Sequence, residues 1–92
     1  MIRSFRHRGL KRLYEDDDPR GVMTEHVTKL RDILASLDAA QTVAHMNLPG
    51  YRFHALKGDL KGFYAVTVKA NWRVIFRFAS RGAEDVDYVD YH

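Results

Sequence analysis

The side chains best suited to chemistry are a small set of titratable and cationic residues. They are His54, Lys57, Arg73, Asp90, Tyr91 and His92. If the fold brought them together, they would combine proton-transfer groups with cations in one site. Taken singly, each belongs to a residue type that usually lies solvated at a surface, so the pattern alone leaves the convergence open.

Other kinds of site lack a motif in this sequence. The five histidines show no HExxH motif and no closely spaced pair, and the absence of cysteine excludes disulfides and thiolate metal sites. No Ser-His-Asp order indicates a nucleophile, and there is no glycine-rich loop of the kind that holds phosphates. Gly58 and Gly62 are interpreted as residues of a turn. We therefore expect no metal site and no cofactor.

Two strands joined by a tight turn are predicted for the stretch FYAVTVKANWRVIFRF, which runs from Phe63 to Phe78. Aromatic and β-branched residues dominate both arms, as they do on half-buried pleated surfaces. Strand side chains alternate between two faces. In the second arm, alternation separates the apolar set Trp72, Val74, Phe76 and Phe78 from the set Arg73, Ile75 and Arg77. We therefore expect a sheet with one apolar packing face and one cationic face.

Helices are predicted ahead of these strands. Apolar spacing favours helices over residues 7–15 and 24–37, the second with Thr24 as its N-cap and an apolar stripe against the sheet. Asp38 is expected to cap a shorter helix over about 39–46, and the acidic run at 15–18 is interpreted as a solvated loop rather than a metal site. Strands are predicted at 1–5, 51–56, 63–68, 72–79 and 84–89. Short connections favour an antiparallel meander, and helices followed by strands indicate an α+β domain.

Length and charge set limits on the class of protein. A chain of 92 residues predicts a single domain over 1–92 with one core. The net charge of +3 favours an anionic partner only weakly. The sequence has no apolar run long enough to span a membrane and no signal-peptide pattern. With the lack of cysteine, this favours a cytoplasmic protein that does not associate with membranes.

Three segments together resemble one family. They are LKGDLKGFYAVTVKANWRVIFRF from Leu56 to Phe78, MIRSF at the start and DVDYVDYH at the end. The combination of the LKGD turn, the NWRV strand and the final DYH is similar to that of the HigB toxins, a branch of the RelE/ParE superfamily of bacterial toxin–antitoxin modules. The resemblance extends over the whole chain and is tightest in the carboxy-terminal half.

The resemblance implies a fold, an activity and partners. The fold would be α+β, a curved antiparallel β-sheet with two or three helices packed on one face, known as the RelE-like microbial RNase fold. The activity would be that of a ribosome-dependent endoribonuclease that cuts mRNA in the decoding site and inhibits growth. A HigA-type antitoxin with a helix-turn-helix domain would neutralise it, so contact with DNA would be indirect. The family's functional residues match His54, Lys57, Arg73, Asp90, Tyr91 and His92.

Cleavage of RNA through its own 2′-hydroxyl matches these residue types. A base must accept the hydroxyl proton, an acid must protonate the leaving 5′-oxygen, and cations must stabilise the phosphorane. Lys57 and Arg73 would neutralise phosphate charge, and Asp90 would orient a histidine. His92 is favoured as the acid or base near the leaving group, with His54 as the second candidate. The sequence does not decide between them.

The remaining expectations concern RNA binding and alternative functions. Tyr91 would stack on a base or position the phosphate. A basic rim would dock on ribosomal RNA, although solubilising charge explains it equally well: Arg3, Arg6, Arg8, Lys11 and Arg12. Arg77, on the same face as Arg73, would bind phosphate or ribosomal RNA without taking part in the chemistry. One alternative is a ParE-like poison of DNA gyrase, against which the DYH end and the pair His54 and Lys57 argue. The other is a non-catalytic RNA- or protein-binding module, against which the retained acid–base candidates argue.

Overall fold

Two α-helices precede a run of four strands. The computed structural model describes residues 1–91, so the predicted site residue His92 lies outside the described part of the chain. The elements follow in the order α1 (Arg8–Asp16), α2 (Val27–Ala39), β1 (His54–Ala55), β2 (Tyr64–Lys69), β3 (Trp72–Ala79) and β4 (Gly82–Asp90). Short 3-10 turns lie at Pro19–Gly21, Thr24–His26, Val43–Met46 and Gly58–Leu60. The predicted α+β class is confirmed.

The strands form one antiparallel sheet in the order β1-β2-β3-β4, which confirms the predicted meander. The connection between β2 and β3 is a two-residue turn at Ala70 and Asn71, and Ala70 has a φ of 50°. The first residues of the chain extend the sheet beyond β4. Their parallel bridges Ile2–Ala83 and Phe5–Val86 replace the regular strand predicted for 1–5.

The helices cover one face of the sheet, here called the inner face. The predicted stripe of α2 is confirmed, since Leu30, Ile33, Leu34 and Leu37 are all buried. They pack in one cluster with the inner side chains of the strands, among them Val66, Val74, Phe76 and Val86. Burial of such apolar side chains supplies most of the stability of a small domain.

The opposite face of the sheet, here called the outer face, is not simply cationic. Phe63, Ala65 and Ile75 are buried there in a second apolar cluster, against which Leu56, Leu60 and Val89 pack. The expectation of one apolar and one cationic face was therefore wrong in part. The segment between β1 and β2 folds back over the outer face and covers its centre. Charged side chains remain around this apolar floor.

Several local predictions also differ from the structure. Met23, not Thr24, is the N-cap residue of the turn that leads into α2. Asp38 lies inside α2 and caps no further helix, because its Oδ1 accepts hydrogen bonds from the Ile2 N–H (3.2 Å) and the Tyr14 hydroxyl (2.6 Å). The hydrogen bond from its hydroxyl to Asp38 raises the pKa of Tyr14 to about 12. The predicted helix over 39–46 is a 3-10 turn, and the predicted strand over 51–56 is reduced to two residues.

Within residues 1–91, no helix is long and apolar enough to cross a membrane.

Candidate active site

Three of the predicted site residues lie on the outer face, away from the helices. His54 is paired with Ala65, whose side chain lies in the outer apolar cluster, and Arg73 is two residues before Ile75 of the same cluster. Tyr91 is two residues after Val89, which packs against that cluster. Since strand side chains alternate, all three positions share one face. The predicted separation of Arg73 and Arg77 from the inner side chains is confirmed.

The register places His54 and Arg73 close enough to act on one group. His54 is opposite Ala65 on β2, and Arg73 is opposite Thr67, two residues further along the same strand. Two strand spacings and two residues separate their Cα atoms by about 12 Å. The imidazole and the guanidinium can therefore converge on a phosphate placed between them.

Arg73 is held at the turn between β2 and β3. Its Nη1 donates hydrogen bonds to the backbone carbonyls of Ala70 (2.6 Å) and Trp72 (3.1 Å). Its guanidinium carbon lies 5.8 Å from the centre of the Tyr91 ring, within the range of a cation–π contact. The N–H groups of Nε and Nη2 make no hydrogen bond within residues 1–91. They form a planar fork suited to two oxygens of one phosphate.

His54 is exposed, and one of its ring nitrogens is engaged. Its Nδ1 lies 2.9 Å from the Arg52 carbonyl oxygen, which can only accept a hydrogen bond. This contact assigns the proton of the neutral imidazole to Nδ1 and leaves Nε2 as the acceptor. A neutral His54 thus presents a proton-accepting nitrogen to solvent.

Lys57 starts the turn at Gly58–Leu60 and is exposed. Within residues 1–91 its ammonium group makes no ion pair. It lies at the end of the segment that begins with His54, at the margin of the outer face. Its charge is therefore accessible to an anionic ligand.

The end of β4 is tied to the turn that holds Arg73. Asp90 is the register partner of Trp72, and the Tyr91 N–H donates to the Asn71 carbonyl at 2.8 Å. Tyr91 thus lies beside Arg73 on the outer face, whereas Asp90 shares the face of its register partner Trp72. The position predicted for His92 cannot be compared, because that residue is outside the described range.

A cluster of three aromatic side chains packs on the inner face beneath the ends of β3 and β4 that hold Arg73 and Tyr91. His26 is the one buried polar side chain among the described residues, and its Nδ1 is hydrogen-bonded to the Tyr88 hydroxyl. The Trp72 ring lies 4.5 Å from that of Tyr88 and 5.6 Å from that of His26 between ring centres. Burial raises the pKa of Tyr88, so its hydroxyl stays protonated. No motif in the sequence indicates this role of His26.

The residues predicted to bind RNA or the ribosome do not form one surface. Arg3, Arg8, Lys11, Arg12 and Arg77 are all exposed. The first lies in the amino-terminal segment and the next three on α1, whose buried leucines pack on the inner face. Only Arg77 lies on the outer face with Arg73. It is 4.0 Å from the Asp85 carboxylate, at the outer limit of an ion pair.

One residue near the site, Thr67, was missed by sequence reasoning, and the position of Arg6 was not predicted. Thr67 lies directly opposite Arg73 on the outer face, and its buried hydroxyl has no hydrogen-bond partner within residues 1–91. Alternation along β2 would have placed it there. Arg6 reaches the outer face from the amino-terminal segment, with its guanidinium carbon 4.9 Å from the centre of the Phe63 ring. Nothing in its local sequence indicates that contact.

No cluster of three or more potential metal-binding histidine, aspartate or glutamate side chains occurs among the described residues.

Comparison with known proteins gives one family. A family model described as "RelE-like toxin of type II toxin-antitoxin system HigB" matches residues 3–92. The chain is 41% identical over 92 residues to the Proteus vulgaris protein named Endoribonuclease HigB, and the match covers both chains in full. It is 33% identical over 94 aligned positions to Toxin HigB-1 of Vibrio cholerae, with 100% of this chain and 98% of that protein covered.

Proposed function

The chain belongs to the HigB-like family of RelE-like toxins from type II toxin–antitoxin systems, and we propose that it cuts messenger RNA on the ribosome by metal-independent acid–base chemistry. It is an endoribonuclease toxin, as is its full-length relative from Proteus vulgaris. An antitoxin is its partner in such a system. We propose the ribosome and messenger RNA as its targets, together with a role for each site residue.

The observation that carries the proposal is the outer-face arrangement of His54 and Arg73. A base with a free nitrogen and a cation with a free planar fork lie on the same face, about two strand spacings apart. RNA cleavage through the 2′-hydroxyl needs a base for that proton and a cation for the charge of the phosphorane. His54 and Lys57 are exposed and Arg73 is partly exposed, so this part of the outer face admits a polymer, whereas an enclosed pocket would not.

Each residue has a role in the proposal. Neutral His54 accepts the 2′-hydroxyl proton at Nε2, since its Nδ1 is engaged with a carbonyl. Arg73 binds the non-bridging oxygens through Nε and Nη2, and Lys57 adds a second positive charge. Tyr91, positioned under the Arg73 guanidinium, contacts the phosphate or a base. His92 protonates the leaving oxygen, and Asp90 orients it.

The same proposal extends to partners and location. The antitoxin is of the HigA type, with a helix-turn-helix domain, so the toxin contacts DNA only through it. Because ribosomes and messenger RNA are the targets, the protein acts in the cytoplasm. The ParE-like activity on gyrase and a non-catalytic binding role remain the alternatives. Neither accounts for an acid–base histidine and a free guanidinium on one exposed face.

The experiment is to add the purified protein to translating ribosomes and to map the 5′ ends of the messenger RNA. New ends that require both toxin and ribosomes are expected. A variant with His92→Ala should produce none of them while it retains the thermal unfolding midpoint of the wild type. If this variant cuts RNA and arrests growth like the wild type, the role given to His92 is wrong. Absence of new ends with the wild type would favour the gyrase alternative, which a supercoiling assay tests.

A further inference from the structure

Two arginines from distant parts of the sequence meet over one aromatic ring on the outer face. The guanidinium carbon of Arg6 lies 4.9 Å from the centre of the Phe63 ring, and that of Arg77 lies 5.8 Å from it. Arg77 extends from β3, and Phe63 immediately precedes β2. Arg6 comes from the amino-terminal segment, beyond the opposite edge of β4, where its N–H donates to the Val86 carbonyl. Its side chain therefore lies across the outer face.

The charge of this pair is only partly neutralised. Arg77 has Asp85 at 4.0 Å, with its side chain 55% exposed, while Arg6 makes no ion pair within residues 1–91. Since both lie near one ring centre, the two guanidinium carbons are at most about 11 Å apart, where like charges repel one another and the aromatic ring offsets only part of that. An anion bound between the two guanidinium groups would relieve the repulsion. The contacts of both guanidinium groups with the Phe63 ring limit where such an anion would bind.

The pair lies on the same face of the sheet as Arg73, and Arg77 is on the same strand. Arg77 is four residues after Arg73 along β3, which places their Cα atoms about 13 Å apart. Between them lies Ile75, buried in the outer apolar cluster. One cation, the covered apolar cluster around Ile75 and two further cations thus follow one another along β3. A single nucleic-acid strand offers the matching sequence of phosphate, sugar or base, and phosphate.

We propose that Arg6 and Arg77 form a second phosphate-binding subsite, which holds the messenger RNA strand a short distance along from the phosphate that Arg73 contacts. The inference rests on the proposed function, since it assigns this subsite to the same substrate. The subsite contributes binding and alignment, whereas the chemistry stays at Arg73 and the histidines. A ribosomal RNA phosphate has the same chemistry, and the experiment separates the two sources.

The test uses programmed ribosomes and a set of messenger RNAs, each with one neutral methylphosphonate linkage at a different position around the cleaved bond. Wild-type protein should lose about tenfold in cleavage efficiency at one position besides the cleaved linkage, as expected for one charge-assisted contact. The Arg6→Ala/Arg77→Ala variant should cut the unmodified RNA about tenfold less efficiently and should no longer respond to that linkage. A second variant, Arg6→Gln/Arg77→Gln, keeps more of the packing on Phe63 and should behave in the same way.

A matched control removes the same charge elsewhere. Arg20 and Arg81 are exposed and lie outside the outer-face cluster, so Arg20→Ala/Arg81→Ala should cut like the wild type and respond to the same linkage. If the Arg6/Arg77 variants keep the wild-type response to that linkage, the messenger RNA subsite is refuted. If they instead lose affinity for ribosomes that carry no messenger RNA, the phosphate belongs to ribosomal RNA and the inference is wrong. No cleavage by wild-type protein would overturn the proposed function, and the subsite with it.

Discussion

Replacement of Arg73 separates a catalytic role from a docking role. Its Nη1 is committed to the carbonyls of Ala70 and Trp72, so Nε and Nη2 are the donors left for a phosphate. Lysine places one ammonium group near this position but cannot reproduce the planar fork. We therefore expect Arg73→Lys to lose much of the cleavage rate and Arg73→Ala to lose more, although both keep the fold.

The expected magnitudes allow the two effects to be distinguished. Removal of one donor that stabilises developing charge typically costs on the order of 3 kcal/mol, or about a hundredfold or more in rate. Loss of the two backbone hydrogen bonds and the contact with Tyr91 should lower the free energy of unfolding by about 1–2 kcal/mol, because the side chain is partly exposed. A domain of ordinary stability remains folded after such a loss.

The assay is single-turnover cleavage on programmed ribosomes, with ribosome affinity and urea unfolding measured for each variant. Arg81→Ala is the control, since Arg81 is an exposed arginine in the turn after β3. The rate of the control should equal that of the wild type. Wild-type cleavage by Arg73→Ala, or a fall in ribosome affinity alone, would refute the reasoning. Arg73 would then be a docking residue, and the catalytic cation would have to be another group.

Three further outcomes are expected. His26→Ala removes the side-chain partner of the buried Tyr88 hydroxyl and should lower the free energy of unfolding in urea titrations by about 2–3 kcal/mol. Tyr88→Phe should lower it by less. A His26→Ala variant as stable as the wild type would contradict the role of this hydrogen bond. The Nδ1 of His7 accepts from the Leu10 N–H at the start of α1, and burial lowers the pKa of His7 despite the nearby Asp87 carboxylate. His7 therefore binds a proton more readily in the unfolded chain, so its contribution to the free energy of unfolding is complete above the ordinary pKa of 6.5 and is lost as pH falls below it. His7→Asn, which keeps a capping side chain that does not titrate, should weaken the pH dependence of the free energy of unfolding. Affinity for ribosomes that carry messenger RNA should fall steeply with salt through counterion release. It should fall less steeply after alanine replacement of the exposed basic residues Arg3, Arg8, Lys11, Arg12 and Arg77, whereas a flat salt profile would exclude electrostatic docking.

The sequence predicted the parts of the fold that depend on local periodicity. Alternation along β3 placed Arg73 and Arg77 opposite Val74 and Phe76, and the structure has them there. The stripe on α2 was predicted in the same way, because apolar spacing in a helix directly reports the buried face. These predictions need no knowledge of distant segments. For that reason the structure confirms them.

Predictions failed where a distant segment decides the outcome. The burial of Ile75 depends on Phe63 and on the segment around Leu60, which folds back over the outer face. Asp38 caps no helix because the Ile2 N–H and the Tyr14 hydroxyl occupy its carboxylate. In each case the local pattern permitted the predicted state, and a tertiary contact selected another.

The same limit applies to the site. Proximity of His54 and Arg73 follows from the meander, since each strand pairs with the next along the chain. The approach of Arg6 to Phe63 does not follow, because the amino-terminal segment pairs in parallel with β4, far away in sequence. The hydrogen bond of buried His26 with Tyr88 likewise joins the turn before α2 to the last strand. The sequence therefore predicts proximity between neighbouring strands and does not predict contacts made by segments that are distant along the chain.

The two-sided packing of the sheet bears directly on how a small chain can use exposed charges for catalysis. A guanidinium stabilises a transition state only if it is in position before the charge develops, because reorientation during the reaction would cancel the gain. An exposed arginine on a loop does not meet this condition, since its side chain samples many rotamers. Arg73 meets it because β3 is flanked by β2 and β4, the Trp72 ring is packed against Tyr88 on the inner face, and Tyr91 lies beside the guanidinium on the outer face. In the proposed reaction, the apolar contacts on both faces thus fix the cation, and the open surface above it leaves room for the RNA strand.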